Sequence, residues 1–235
     1  MLQVLCQLQV DVVEVRVKSR LQVGEDMKDN FTRIALILDR SGSMQASRES
    51  AIQGINDFVQ GQKKVPGEAA LKLVQFDDQY EVVFDKNIQD IPEFTQEDFK
   101  PRGRTALYDA QGKTIVELGE ELSKLPEEQR PSHVIVVTIT DGKENASRKF
   151  TAETVKALVT QQKEIYNWDF VYVGANQDAI AVGDSMGVTM DSALTYNSLN
   201  AQAYGQMVSS VSSYVASRRM GVRAAFTTED RKKAR

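Results

Sequence analysis

Ile34-Ala35-Leu36-Ile37-Leu38-Asp39-Arg40-Ser41-Gly42-Ser43-Met44 runs five apolar residues directly into a carboxylate and two hydroxyls. An unbroken apolar run of this length reads as a strand covered on both faces, as in a parallel sheet. Its polar end then places three hard oxygen donors where the strand leaves the sheet. Donors of that kind suit a small hard cation such as Mg²⁺, which takes oxygen ligands in near-octahedral geometry and keeps several waters. Asp-x-Ser-x-Ser alone is weak evidence, so the rest of the chain has to supply partners for it.

Two segments do. Gly103-Arg104-Thr105-Ala106-Leu107-Tyr108-Asp109-Ala110 puts a third hydroxyl at the mouth of a helix, and Val134-Ile135-Val136-Val137-Thr138-Ile139-Thr140-Asp141-Gly142 is a second apolar strand ending in a second carboxylate. Each admits a local explanation: a turn at Asp39-x-Ser41, a helix N-cap at Thr105, a tight turn at Asp141-Gly142. Jointly those explanations leave the three-part arrangement a coincidence.

The surrounding pattern is that of a doubly wound α/β fold. Phe31 to Leu38, Ser132 to Thr140 and Trp168 to Val173 read as buried strands. Leu71 to Phe76 and Tyr80 to Phe84, separated by Asp77-Asp78-Gln79, read as a hairpin that adds one antiparallel edge strand. Helical stripes lie between them: Ile52, Ile55 and Val59; Leu107 through Leu125, stopped by Pro126; Val155, Leu158, Val159 and Ile165 behind a Thr151 N-cap; and Tyr204, Met207, Val211, Tyr214 and Val215. Alternating strands and helices predict a mostly parallel sheet of about six strands with helices on both faces. Ligands of such sheets bind at the carboxyl ends of the strands, where Asp39 and Asp141 sit.

In this order the three segments resemble the metal-ion-dependent adhesion site of the von Willebrand factor type A domain family. The resemblance runs from about Phe31 to about Ser217, and the site pattern is complete at Asp39, Ser41, Ser43, Thr105 and Asp141. The segments Leu73-Val74-Gln75-Phe76-Asp77 and Thr140 to Ser147 are similar to a compact bacterial and phage branch of the family. The resemblance implies Mg²⁺, with Mn²⁺ or Ca²⁺ as substitutes, and a protein partner that offers a Glu or Asp to the metal. Intracellular relatives further suggest an adaptor within a larger assembly, often one built on an AAA+ ATPase. Arg40, Arg102 and Arg104 would add positive charge to the rim, and Asn176, at another strand's carboxyl end, lines the same face or caps the helix after it.

Chemistry by a nucleophilic serine needs a base, and the only histidine, His133, stands at the opposite end of the strand that ends in Asp141. A metal-based hydrolase of phosphate esters is the alternative class, but such sites gather more direct carboxylates. The expectation is therefore a binding module and not an enzyme.

Composition bounds the rest. The 235 residues are 41% hydrophobic and 26% charged, with net charge −4, which argues against a general nucleic-acid binder. Cys6 is the single cysteine, no run is long and apolar enough to cross a membrane, and Asp11 and Glu14 precede any Lys or Arg. Those features point to a cytoplasmic protein. Residues 1–30 read as an extension: Leu8, Val10 and Val12, then Val13, Val15 and Val17, alternate as a bulged strand would, while Met27 stands as an alternative start. Residues 31–217 form the domain, and 218–235, ending Arg231-Lys232-Lys233-Ala234-Arg235, read as a frayed basic tail.

Overall fold

The computed structural model describes residues 28–175 and 178–235. The strand pattern of the first 26 residues, the Met27 start and Asn176 lie outside the described residues. The chain runs β1 (Lys28–Asp39), α1 (Arg48–Lys63), β2 (Glu68–Phe76), β3 (Tyr80–Asn87), α2 (Leu107–Ser123) and β4 (Pro131–Thr140). It continues with α3 (Ala152–Tyr166), β5 (Asp169–Ala175), α4 (Ala179–Ser185), β6 (Ala193–Tyr196), α5 (Ala201–Arg219) and α6 (Thr228–Lys233).

Among the described residues the sheet has six strands in the order β3-β2-β1-β4-β5-β6. Only β3 runs antiparallel, paired to β2 by the expected hairpin; the other neighbours are parallel. The strand order reverses between β1 and β4, and in open α/β sheets a crevice opens at that point.

Alternation along β1 divides the core. Ile34, Leu36 and Leu38 face α1 and α5, together with Ile55, Phe58, Met207 and Val211. Ala35 and Ile37 face α2 and α3, with Leu107, Leu118, Val155 and Val159. Thr151 caps α3 as expected: its side chain accepts from the Thr154 N–H, and Thr154 returns the bond to the Thr151 N–H. Of the stripe assigned to that helix, Val155 and Val159 are fully buried, whereas Ile165, in its last turn, is 39% exposed.

The tail expectation is corrected. Residues 228–233 form α6, started by a Thr227–Asp230 capping box. Phe226 and Ala234 are buried, and the Asn197 N–H donates to the Ala234 carbonyl. Arg231 donates to the carbonyls of Ala193 (2.7 Å) and Met190 (2.6 Å), so a residue that reads as solvated charge fastens this segment beside β6. Among the described residues no helix is long and apolar enough to cross a membrane.

Candidate functional site

Asp39 is the last residue of β1, and Asp141 follows the last residue of β4. Since Leu38 is level with Ile139 across these adjacent parallel strands, the two chain ends leave the sheet side by side. Asp39 is wholly buried rather than lodged at an open sheet edge. Its Oδ1 accepts the Ser41 N–H at 2.7 Å, and its Oδ2 accepts the Thr140 hydroxyl at 2.5 Å. The Ser41 and Ser43 hydroxyl oxygens stand 3.1 Å apart, and Ser43 donates to Asp141 Oδ1 at 2.6 Å. Two strands and one loop are thus closed into a ring of oxygens.

Thr105 enters from the loop before α2. It is not the helix N-cap: Ala106 holds that position, without a side-chain bond. The Thr105 backbone is clamped instead, its N–H donating to Asn145 Oδ1 (3.0 Å) and its carbonyl accepting from the Asn145 and Ala146 N–H groups. Among the described residues its hydroxyl has no hydrogen-bond partner. A Cβ placed on Gly142 would stand 2.7 Å from Thr105 Oγ1 and 3.5 Å from Asp39 Oδ2, so both oxygens face one small space that a glycine leaves open.

Around this ring lies a frame that sequence reasoning did not resolve. Glu144 Oε1 accepts the Ala146 and Ser147 N–H groups, and Oε2 accepts the Ser147 hydroxyl and the Tyr108 N–H. The Asp109 carboxylate accepts three successive N–H groups, those of Arg148, Lys149 and Phe150. Together they bind the loop after β4 to the first turn of α2. On the other side Asp77, also wholly buried, accepts from Gln79 N–H (2.6 Å), Arg102 Nε (2.9 Å) and Arg40 Nε (3.2 Å).

The rim expectation is therefore revised residue by residue. Arg40 is buried, turned away from solvent onto Asp77, with a second bond of 2.6 Å to Glu81. Arg102 is half exposed and tied to Asp77. Arg104 is exposed and has no ion pair among the described residues. His133, half-buried near the start of β4, is eight residues before Asp141, roughly 26 Å along an extended strand.

Burial governs the two carboxylates. Asp39 is pushed up to about 6, opposed by the bonds from Thr140 and Ser41. Asp141 is raised by the same cause and opposed by Ser43. Buried negative charge without a cation is costly, and the two nearest available donors can only partly offset it.

Gly142→Ala tests the cradle. The added methyl group requires Thr105 Oγ1 to move. If the ring holds Mg²⁺ as the sequence leads one to expect, calorimetric titration of the variant shows affinity down by about tenfold or more, while stability changes by less than about 1 kcal/mol.

The doubly wound sheet, with the oxygen ring at its switch point, is similar in fold to von Willebrand factor type A domains. Residues 34–144 match the model of the von Willebrand factor type A domain family. Similar solved structures include a von Willebrand factor type A protein from Catenulispora acidiphila, 13% identical over 79% of this chain and 42% of that one, TM-score 0.56. Proximal thread matrix protein 1 from the mussel byssus, described with a zinc-occupied metal-ion-dependent adhesion site, is 16% identical over 81% and 47%, TM-score 0.54. The PilB minor pilin of Streptococcus sanguinis is 12% identical over 83% and 63%, TM-score 0.52. The chain spans roughly half the length of these proteins, and the likeness is one of fold. No curated protein sequence matches it significantly.

Proposed function

We propose that the chain is a Mg²⁺-dependent protein-binding module, without catalysis, that recognises an acidic side chain of its partner. The observation that carries the proposal is the ring itself: hydrogen bonds link Asp39, Ser41, Ser43 and Asp141, and the Thr105 hydroxyl, without a hydrogen-bond partner among the described residues, faces the same small space beside Gly142 as Asp39 Oδ2. Ser41, Ser43 and Thr105 would ligate the cation directly, with Asp39 and Asp141 holding its waters. Among the described residues no three His, Cys, Asp or Glu side chains form a metal cluster, so the donor set is weighted to neutral hydroxyls. A divalent ion held this way supplies Lewis acidity and keeps most of its charge. The protein's own groups fix the donors: Thr140 orients Asp39, Ser43 orients Asp141, and Asn145 sets Thr105.

A carboxylate from another molecule is the natural complement to such a centre. The zinc-occupied site named for the mussel neighbour supports a divalent ion at the corresponding place, and the family match supports a protein-interaction role. A cytoplasmic adaptor in a larger assembly, such as one built on an AAA+ ATPase, is the setting proposed from the resemblance. The test is affinity capture from lysate with Mg²⁺ and with chelator, beside the Thr105→Ala variant and a phosphatase screen. Chelator is expected to release the partner, and Thr105→Ala to weaken capture by about tenfold with a near-normal melting temperature, since no cap is lost. Capture indifferent to both places recognition on another surface. Phosphatase turnover that disappears in Asp141→Ala would show a hydrolase instead.

A further inference from the structure

Charge is unevenly distributed around the ring. Residues 101–106, leading into α2, and 141–151, leading into α3, are pinned together by the backbone bonds at Thr105. These two loops carry Arg102, Arg104, Lys143, Arg148 and Lys149 against only Asp141 and Glu144. Glu144 is spent on N–H and hydroxyl donors, and so is Asp109 beneath the second loop. Arg102 is held by Asp77. Arg104, Lys143, Arg148 and Lys149 remain, all exposed, none with an ion pair among the described residues. The Arg148 and Lys149 backbones are nonetheless fixed by Asp109, so their side chains start from a rigid base.

Four exposed cations lie on two adjoining loops; Lys149 is near the Asp109 carboxylate, but none forms an ion pair among the described residues, and their mutual repulsion is relieved by an anionic partner. We infer that the partner presents an acidic segment rather than a lone carboxylate. One Asp or Glu reaches the metal while further acidic side chains of the same segment lie over Arg104, Lys143, Arg148 and Lys149. This rests on the metal reading above and places the recognition surface on the α2–α3 side of the ring, away from Arg40. Peptide carboxylates are favoured over a nucleic acid because four cations make a small footprint and the chain as a whole is acidic.

The experiment uses the full chain saturated with MgCl₂ and a fluorescein-labelled hexaglutamate peptide, followed by fluorescence anisotropy. The comparison is the double variant Arg148→Glu/Lys149→Glu, whose side chains are exposed and whose backbone bonds to Asp109 are kept. Its melting temperature and its Mg²⁺ affinity by calorimetry are measured in parallel. Peptide affinity is expected to fall by about tenfold or more, with a shallower salt dependence and Mg²⁺ affinity within about twofold of wild type. Unchanged peptide affinity in the double variant overturns the inference while leaving the metal reading intact. Equal binding of a twelve-residue thymidine oligonucleotide also overturns it, making the patch a general polyanion surface. Absence of Mg²⁺ binding by the wild-type chain removes the metal reading, and the inference with it.

Discussion

Asp39→Asn is expected to abolish measurable Mg²⁺ binding and, in chelator at pH 7, to make the protein more stable. Both effects have one origin. The Asp39 carboxyl is wholly buried and its folded-state value lies near 6, against 3.8 for the free group. A carboxyl raised on folding binds its proton more tightly in the folded state. Its contribution to stability is therefore full below about pH 4 and lost as pH rises through about 6, a loss of about 3 kcal/mol. Asparagine keeps an oxygen for the Ser41 N–H and offers an N–H₂ to Thr140, whose hydroxyl can accept it. The penalty of the buried charge disappears with the charge.

Urea unfolding of the metal-free chain between pH 4 and 7 is expected to show wild-type stability falling across that window. The variant should lack that component and stand about 1–3 kcal/mol above wild type at pH 7. Mg²⁺ should restore wild type above the variant, and Mg²⁺ affinity of the variant should fall by about 100-fold or more. A variant less stable than wild type in chelator at pH 7 would show that the Asp39 hydrogen bonds outweigh its desolvation.

Asp77→Ala is expected to cause the largest loss of stability among changes outside the apolar core. It strips the Nε partner from Arg40, which is buried, and leaves the Gln79 N–H without its acceptor. Removing one member of a buried ion pair costs about 3–5 kcal/mol, since the remaining charge stays in a poorly solvating place. Glu81 still holds Arg40, so the lower end of that range is expected. Metal affinity should fall with it, because Asp77 also anchors Arg102 in the loop that carries Thr105. Chemical unfolding of Asp77→Ala, Arg40→Met and the double variant separates the contributions: the double variant should lose clearly less than the two single losses added. Additive losses would mean that Asp77 and Arg40 act independently.

The strands most legible in the sequence are those buried on both faces. Ile34 to Leu38, Val134 to Thr140 and Phe170 to Val173 had to be continuous apolar runs. β6 is four residues long and α4 seven, with Gly183 inside it, so neither has length enough to display a period. α6 is hidden for another reason: its charged composition describes its outer face, while its attachment depends on Phe226, Ala234 and one arginine bonding to carbonyls.

The five residues proposed for the ring each sit at a chain position with its own local signature. Their supports do not. Thr140 reaches Asp39 across 101 residues, Asn145 reaches Thr105 across 40, and Asp77 reaches Arg40 across 37. No spacing rule encodes such pairings; only the β1–β4 register and the loop crossings bring them together. Arg40 reads as a rim charge for the same reason, since nothing adjacent to it announces a buried carboxylate just past the end of the neighbouring strand.

The most direct measurement is an anomalous difference map from crystals of the full chain soaked in Mn²⁺. The metal reading requires one strong peak about 2.1–2.2 Å from the hydroxyl oxygens of Ser41, Ser43 and Thr105, with Asp39 and Asp141 reaching it through water or directly. No peak in that ring at saturating Mn²⁺, or a peak held only by carboxylates elsewhere, would contradict it.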